Sequence, residues 1–423
     1  LQVKEWYVTA LERNTVLSQR ERDNYYGELE VILSFLAFNS ITGMSEHHRR
    51  AYKLLSGAPQ TLSKQGIWTF GAPSVLGLYL RTGCSLRQTV EDMQECMPPY
   101  YLLSGWHGAG AAELTETEAL LLQGRIDEVD MPLQKAYYQA EKHGQECITI
   151  GCDFLEMQRD LFRGVYSSKA EAYSRNQWQL QPWKQSMLLN TADMCAGFYY
   201  ALLGKPEYIP SWLTDGNGQQ PSVLYPARPC RNYISAQCLL AQGQYTELLV
   251  RWSDWEQECR PYSNFLCLLY LQVQRAAAFA GRGDVTSCRA SLKQALVMAE
   301  ADKLVLPLAQ NIALLRPYLE QEAQGEYSAA AAAALHLGQQ LEAGRGQIMS
   351  ARFAEAGLQE LTEQELQIAQ LAAARHTNRE IAQRLSLSEG TIKQYLNKIF
   401  AKLQIDAAAK NKRHQLERFF PNS

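Results

Sequence analysis

L-T-E-Q-E-L-Q-I-A-Q-L-A-A-A-R-H-T-N-R-E-I-A-Q-R-L-S-L-S-E-G-T-I-K-Q-Y-L-N-K-I-F-A-K-L, residues 361–403, decides how the chain is read. Three helices follow from it. Thr362 and Glu365 form a T-x-x-E capping box that opens the first, and Leu366, Ile368, Ala369, Leu371 and Ala372 recur at helical spacing. Thr377 and Glu380 form a second box before N-R-E-I-A-Q-R-L, which buries Ile381, Ala382 and Leu385. After a tight S-L-S link, Ser388 caps a third helix. Its Ile392, Leu396, Ile399 and Leu403 make one buried stripe.

That stripe leaves Lys393, Gln394, Asn397 and Lys398 on the other faces. Amides pair with base edges, and lysines reach guanine or phosphate, so these residues suit a recognition helix in the major groove of double-stranded DNA. Pattern alone allows a second reading, a small bundle with a solvated polar face.

The residues match more than a pattern. L-T-x-x-E (Leu361, Thr362, Glu365), N-x-E-I-A (Asn378, Glu380, Ile381, Ala382), S-x-x-T-I-K (Ser388, Thr391, Ile392, Lys393) and I-x-x-K-L (Ile399, Lys402, Leu403) stand at fixed spacing. This segment resembles the LuxR-type helix-turn-helix family of bacterial transcription regulators. The resemblance implies that Lys393, Gln394 and Asn397 read bases. It implies that Thr377, Asn378, Ser388, Thr391, Lys398 and Lys402 contact phosphates or position the helix. Three positions depart from the common pattern: Gln364 for Arg, Arg375 for Gly and Tyr395 for His. A fourth helix is predicted over 410–420. Family members often dimerise through it. Leu416 and Phe419 are then either homodimer contacts or packing within the bundle.

Charge separates this end from the rest. Residues 361–423 carry ten basic and six acidic residues, whereas the preceding residues carry 31 and 38. A basic module on an acidic body fits a regulator whose DNA contact is confined to one end. The ten cysteines show no C-x-x-C spacing and no paired His, which argues against a zinc site. They read as reduced thiols in the core of a cytoplasmic protein. No apolar run approaches 18 residues, so no membrane span is expected. Neither G-x-x-x-x-G-K-[ST] nor G-x-G-x-x-G occurs, and no cofactor is expected. No catalytic constellation is legible, so the chain does not read as an enzyme.

Upstream, residues 1–55 read as helices. Leu29, Ile32, Leu33 and Leu36 are the expected buried stripe of one, and Ser45 the expected cap of the next. His47 and His48 then fall at a polar helix start. Residues 56–110 are irregular, with short helices predicted at 73–81 and 85–97. From 111 onward one grammar repeats: helix, Gly-turn, helix. It is clear around Gly124, Gly243 and Gly283, with a further unit expected over 187–204 and a loop at 205–230. The repeats resemble degenerate tetratricopeptide repeats stacked into an all-α solenoid with a concave surface. Trp178 with Trp183, and Trp252 with Trp255, either line a groove for an effector or pack between repeats.

The expected organisation is therefore 1–110, a helical connector and first part of the repeat body; 111–335, the repeat domain; 336–360, a linker; and 361–423, the DNA-binding domain. A repeat body before a LuxR module resembles the large LuxR regulators related to the maltose-regulon activator, which carry a P-loop ATPase domain and a winged-helix connector ahead of the repeats. A chain that begins at Leu1 and lacks a P-loop is then expected to be a piece of such a protein, without ATPase activity. The implied function is a transcriptional regulator whose repeats sense a small-molecule or protein effector. The alternative is a repeat scaffold whose main partner is another protein, with DNA binding secondary.

Overall fold

A stretch that looks irregular in the sequence is buried throughout. All ten residues of G-A-P-S-V-L-G-L-Y-L, 71–80, are buried, and Ala72, Val75, Leu76, Leu78 and Leu80 expose no surface. The computed structural model describes residues 2–64, 66–174, 185–215, 223–325, 327–353, 361–403, 405, 412–416 and 419–420. The fold is all-α. Among the described residues there is no strand, only an isolated bridge between Arg81 and Asn264. The chain divides into two compact units, residues 1–160 with 167–341, and residues 161–166 with 342–423.

The first unit opens with α1 (Gln2–Arg13), α2 (Gln19–Leu36) and α3 (Ile41–Leu54). A Ser18–Glu21 capping box starts α2. Its buried face is Gly27, Val31, Leu33 and Ser34; of the stripe read from the sequence Leu33 is buried, whereas Ile32 and Leu36 are exposed. The cause is a close approach. A Cβ on Gly27 would lie 2.6 Å from Leu55 Cγ, so the glycine face turns inward. Ser45 does not cap α3 either. The helix starts at Ile41, and Ser45 is buried within it. A winged-helix connector, which needs strands, does not occur in the described part of 1–110.

The short α4 (Leu76–Tyr79) packs against α6 (Ala111–Leu122), α11 (Arg228–Ala241) and α13 (Phe265–Gly281). Around it, α3 packs on α5 (Leu86–Ser104) and α5 on α6, and α6 pairs with α7 (Asp130–His143). The helix α5 runs through Pro98 and Pro99 to Ser104, past the predicted end at 97, with Met97, Tyr100 and Leu103 buried. α8 (Glu146–Arg163) leads to α9 (Ser168–Ser174), which pairs with α10 (Gln185–Leu203). α11 pairs with α12 (Tyr245–Cys259), and α13 with α14 (Val285–Glu300). Among the described residues of the predicted 205–230 loop there are three short 3-10 turns, and α11 begins within it at Arg228.

Each predicted Gly-turn carries the same bond. Gly124, Gly243 and Gly283 have φ of 74°, 71° and 77°. The amide after each glycine donates to a carbonyl one turn back: Arg125 to Leu120, Gln244 to Leu239 and Asp284 to Phe279, at 2.9, 2.9 and 3.0 Å. Gly204 repeats it at the end of α10, the further unit predicted over 187–204.

Residues far along the chain close on the 71–80 segment. Phe265 N–H donates to Leu80 O at 2.9 Å, and Asn264 Nδ2 to Gly77 O at 2.9 Å. Gln310 Nε2, at the end of α15 (Leu306–Gln310), reaches Gln158 Oε1 at 2.9 Å. At the centre, Glu118 on α6 accepts from the Ser74 hydroxyl and from Leu76 N–H at 2.8 Å, so it caps α4. Burial raises the Glu118 pKa to about 7.

After α16 (Ile312–Glu322), α17 (Ser328–Ile348) covers the alanine-rich run and continues to Ile348. The first half of the expected linker, 336–348, is therefore helix. Within the second unit a Cβ on Gly344 would lie 1.9 Å from Leu161 O, so that glycine marks a helix crossing and not a flexible joint. Residues 354–360 lie outside the described residues. Nine of the ten cysteines are buried. No helix among the described residues is long and apolar enough to cross a membrane.

Of the expected aromatic groove, Trp178 and Trp183 lie outside the described residues. Trp252 Nε1 donates to Leu271 O at 2.9 Å under the Arg275 guanidinium, and Trp255 is buried. These two are packing residues.

Candidate nucleic-acid interface

Within the second unit, α18 (Glu363–Ala373), α19 (Asn378–Leu385), α20 (Glu389–Lys402) and the short α21 (Lys412–Leu416) share one core. Ile368, Ile381, Ile392 and Ile399 expose nothing in it. Both capping boxes form. Thr362 N–H donates to Glu365 at 2.8 Å and Thr377 N–H to Glu380 at 2.7 Å, and each glutamate amide returns to the threonine hydroxyl. These bonds hold both carboxyls below the usual range: Lys402 is the larger cause at Glu365, and the Thr377 amide at Glu380.

Ser386, in the left-handed region at φ 54°, ends α19, and Leu387 N–H closes the turn on Ala382 O at 2.9 Å. Ser388 then caps α20 by accepting from Thr391 N–H at 3.0 Å, and its hydroxyl lies 2.8 Å from that of Thr391. The predicted stripe of Ile392, Leu396, Ile399 and Leu403 is buried. Consequently Lys393, Gln394, Asn397 and Lys398 are exposed. None of the four has a hydrogen bond or ion pair among the described residues.

The remaining singled-out residues are partly engaged. Thr377 and Ser388 are exposed and their hydroxyls serve as caps. Asn378 Oδ1 accepts from Arg413, which also bonds His376 O and so ties α21 to the start of α19. Lys402 is half-buried, with Nζ 2.6 Å from the buried Glu365 carboxylate. It links α20 to α18 and does not stand free with the other four. Leu416 is fully buried in the module's core and Phe419 packs against it, which matches the packing reading of these two.

Two of the three departures from the common pattern meet. Tyr395 Oη donates to Gln364 Oε1 at 2.9 Å. The third, Arg375, adopts φ 65° at the end of α18, the left-handed conformation a glycine takes without strain. Sequence reasoning passed over Arg379. It is exposed beside Asn378 at the start of α19, and no bond of its guanidinium occurs among the described residues. Its place in the first turn of the second helix was the available signal.

Comparison with known families matches residues 359–410 to bacterial regulatory proteins, luxR family. The match covers the terminal module and not the helical body. It supports a DNA-binding transcriptional regulator. No curated protein matches the chain.

Proposed function

We propose that the chain is a LuxR-type transcriptional regulator whose α20 enters the major groove of its operator. The observation that carries this reading is the row Lys393, Gln394, Asn397 and Lys398, exposed and unpaired on the third helix of a segment matching that family. Lys393, Gln394 and Asn397 read base edges. Thr377, Asn378, Ser388, Thr391 and Lys398 meet or approach phosphates at the two helix starts and beyond, with Arg379 added to them. Lys402 positions α20 through Glu365.

The body, 1–335, senses an effector. Its Gly-turn hairpins support a tetratricopeptide-like reading and a kinship with the large regulators related to the maltose-regulon activator. Residues 336–360 connect it to the module over 361–423. We place the protein in the cytoplasm, where DNA is reached and the buried thiols stay reduced.

Mobility shift against a promoter library at two salt concentrations tests the reading. The parent retains particular fragments and loses affinity steeply with salt. Lys393→Ala with Asn397→Ala lowers selective affinity about tenfold or more, since each base contact discriminates by about 1–3 kcal/mol. Weak, unselective retention by the parent refutes it and favours the scaffold alternative.

A further inference from the structure

A cavity of about 400 Å³ opens within the first unit between α2, α3, α5 and the 62–70 segment. Its volume falls in the range of small-molecule sites. Its wall is built largely from Met44, Met93, Met97, Trp68, Phe70 and Ile41, and no Lys, Arg, Asp or Glu among the described residues lines it. An ionic ligand would enter without a counter-charge.

Two polar side chains of the wall, both on α3, have no hydrogen bond among the described residues: Ser45, whose buried Oγ is without a partner, and His48. His48 is 8% exposed, yet no hydrogen bond to its ring nitrogens occurs among the described residues. Its neighbour His47 is spent on Glu30, 2.7 Å away. The His48 ring lies 4.6 Å from that of Tyr100, whose hydroxyl is already engaged with His107 Nδ1 at 2.7 Å. Burial, with His47 adding to it, lowers the His48 pKa to about 4, so the ring is neutral. A neutral imidazole offers one N–H and one lone pair. Without a protein partner, these groups are left to pair with water or with a molecule that enters the cavity.

We propose that this cavity binds a neutral, mainly apolar small molecule whose single hydroxyl or carbonyl group pairs with His48. Ser45, one turn before His48 on the same helix, also lines the cavity. The site deepens the sensing role assigned above and rests on that reading for its regulatory meaning. Its occupation is measured without DNA, so the two ideas fail separately.

The test uses the full chain and N-phenyl-1-naphthylamine, a neutral apolar dye. Saturable one-site binding is expected, weakened at least tenfold by Ser45→Phe, which fills the cavity. Competition then probes His48. From the parent, 1-naphthol should displace the dye about tenfold better than naphthalene, the worth of one hydrogen bond. In His48→Leu that preference should vanish. Circular dichroism decides whether each variant is folded. No saturable dye binding, or equal competition by naphthol and naphthalene in the parent, overturns the proposal even if neither variant folds. So does dye binding unchanged in folded S45F, or a preference that survives in folded H48L.

Discussion

Tyr395 and Gln364 show how a residue's meaning depends on its neighbour. Each departs from the pattern of its family, and read singly each looks like a loss. In the fold the tyrosine hydroxyl donates to the amide oxygen at 2.9 Å, so the two act as one tie between α20 and α18. Tyr395→Phe, Gln364→Ala and the double variant, compared by urea unfolding, should show a coupling of about 0.5–1 kcal/mol. Additive single effects would mean the bond contributes nothing. Lys402 carries a similar lesson. The resemblance left it either meeting phosphate or positioning the helix, and its ammonium lies 2.6 Å from the Glu365 carboxylate. The capping threonines, the buried isoleucines and the exposed Lys393 and Asn397 needed no structure to be placed. Local spacing alone fixes which face of a short amphipathic helix is apolar.

At the scale of elements, glycine carries the organisation in two different ways. At Gly124, Gly243 and Gly283 it takes a positive φ and ends a helix. At Gly344 it lies inside a helix and admits another backbone. Gly344→Ala should destabilise the protein by about 2 kcal/mol or more, because its Cβ would meet Leu161 O at 1.9 Å. Gly346→Ala, with nothing within 4 Å of the new Cβ, should be neutral or stabilising by up to about 1 kcal/mol. Thermal melts of the two variants decide, and equal effects would remove the crossing argument. The sequence G-R-G could not distinguish a joint from a contact. The same blindness misassigned the inner face of α2, where Gly27 faces inward while Ile32 and Leu36 stay exposed.

At the scale of the whole first unit, Glu118 ties α6 to the 71–80 segment. It is buried, bonded to Ser74 and Leu76, with its pKa raised from 4.5 to about 7. A carboxyl that holds its proton more tightly when folded loses stability as pH rises from its unfolded value through its folded one. Between pH 4.5 and 7 this amounts to on the order of 3 kcal/mol. Glu118→Gln should therefore gain on the parent as pH rises from 5 to 8, read as a shrinking or reversing difference in melting temperature. A pH-independent difference would show that Glu118 keeps an ordinary pKa. His48 belongs to the same scale. It looked like a polar helix start, and it became a cavity residue only because α5 and the 62–70 segment cover it.

The sequence by itself determined the all-α class, the Gly-turn hairpins and the terminal module down to its caps and buried stripe. These depend on interactions within one or two turns of chain, and local spacing encodes them. Only the tertiary structure decided which hairpins pack on the 71–80 segment and which polar residues meet. Those outcomes join residues far apart in sequence, such as Gly77 with Asn264 and Gln158 with Gln310. No local pattern records a contact whose two halves are more than 100 residues apart.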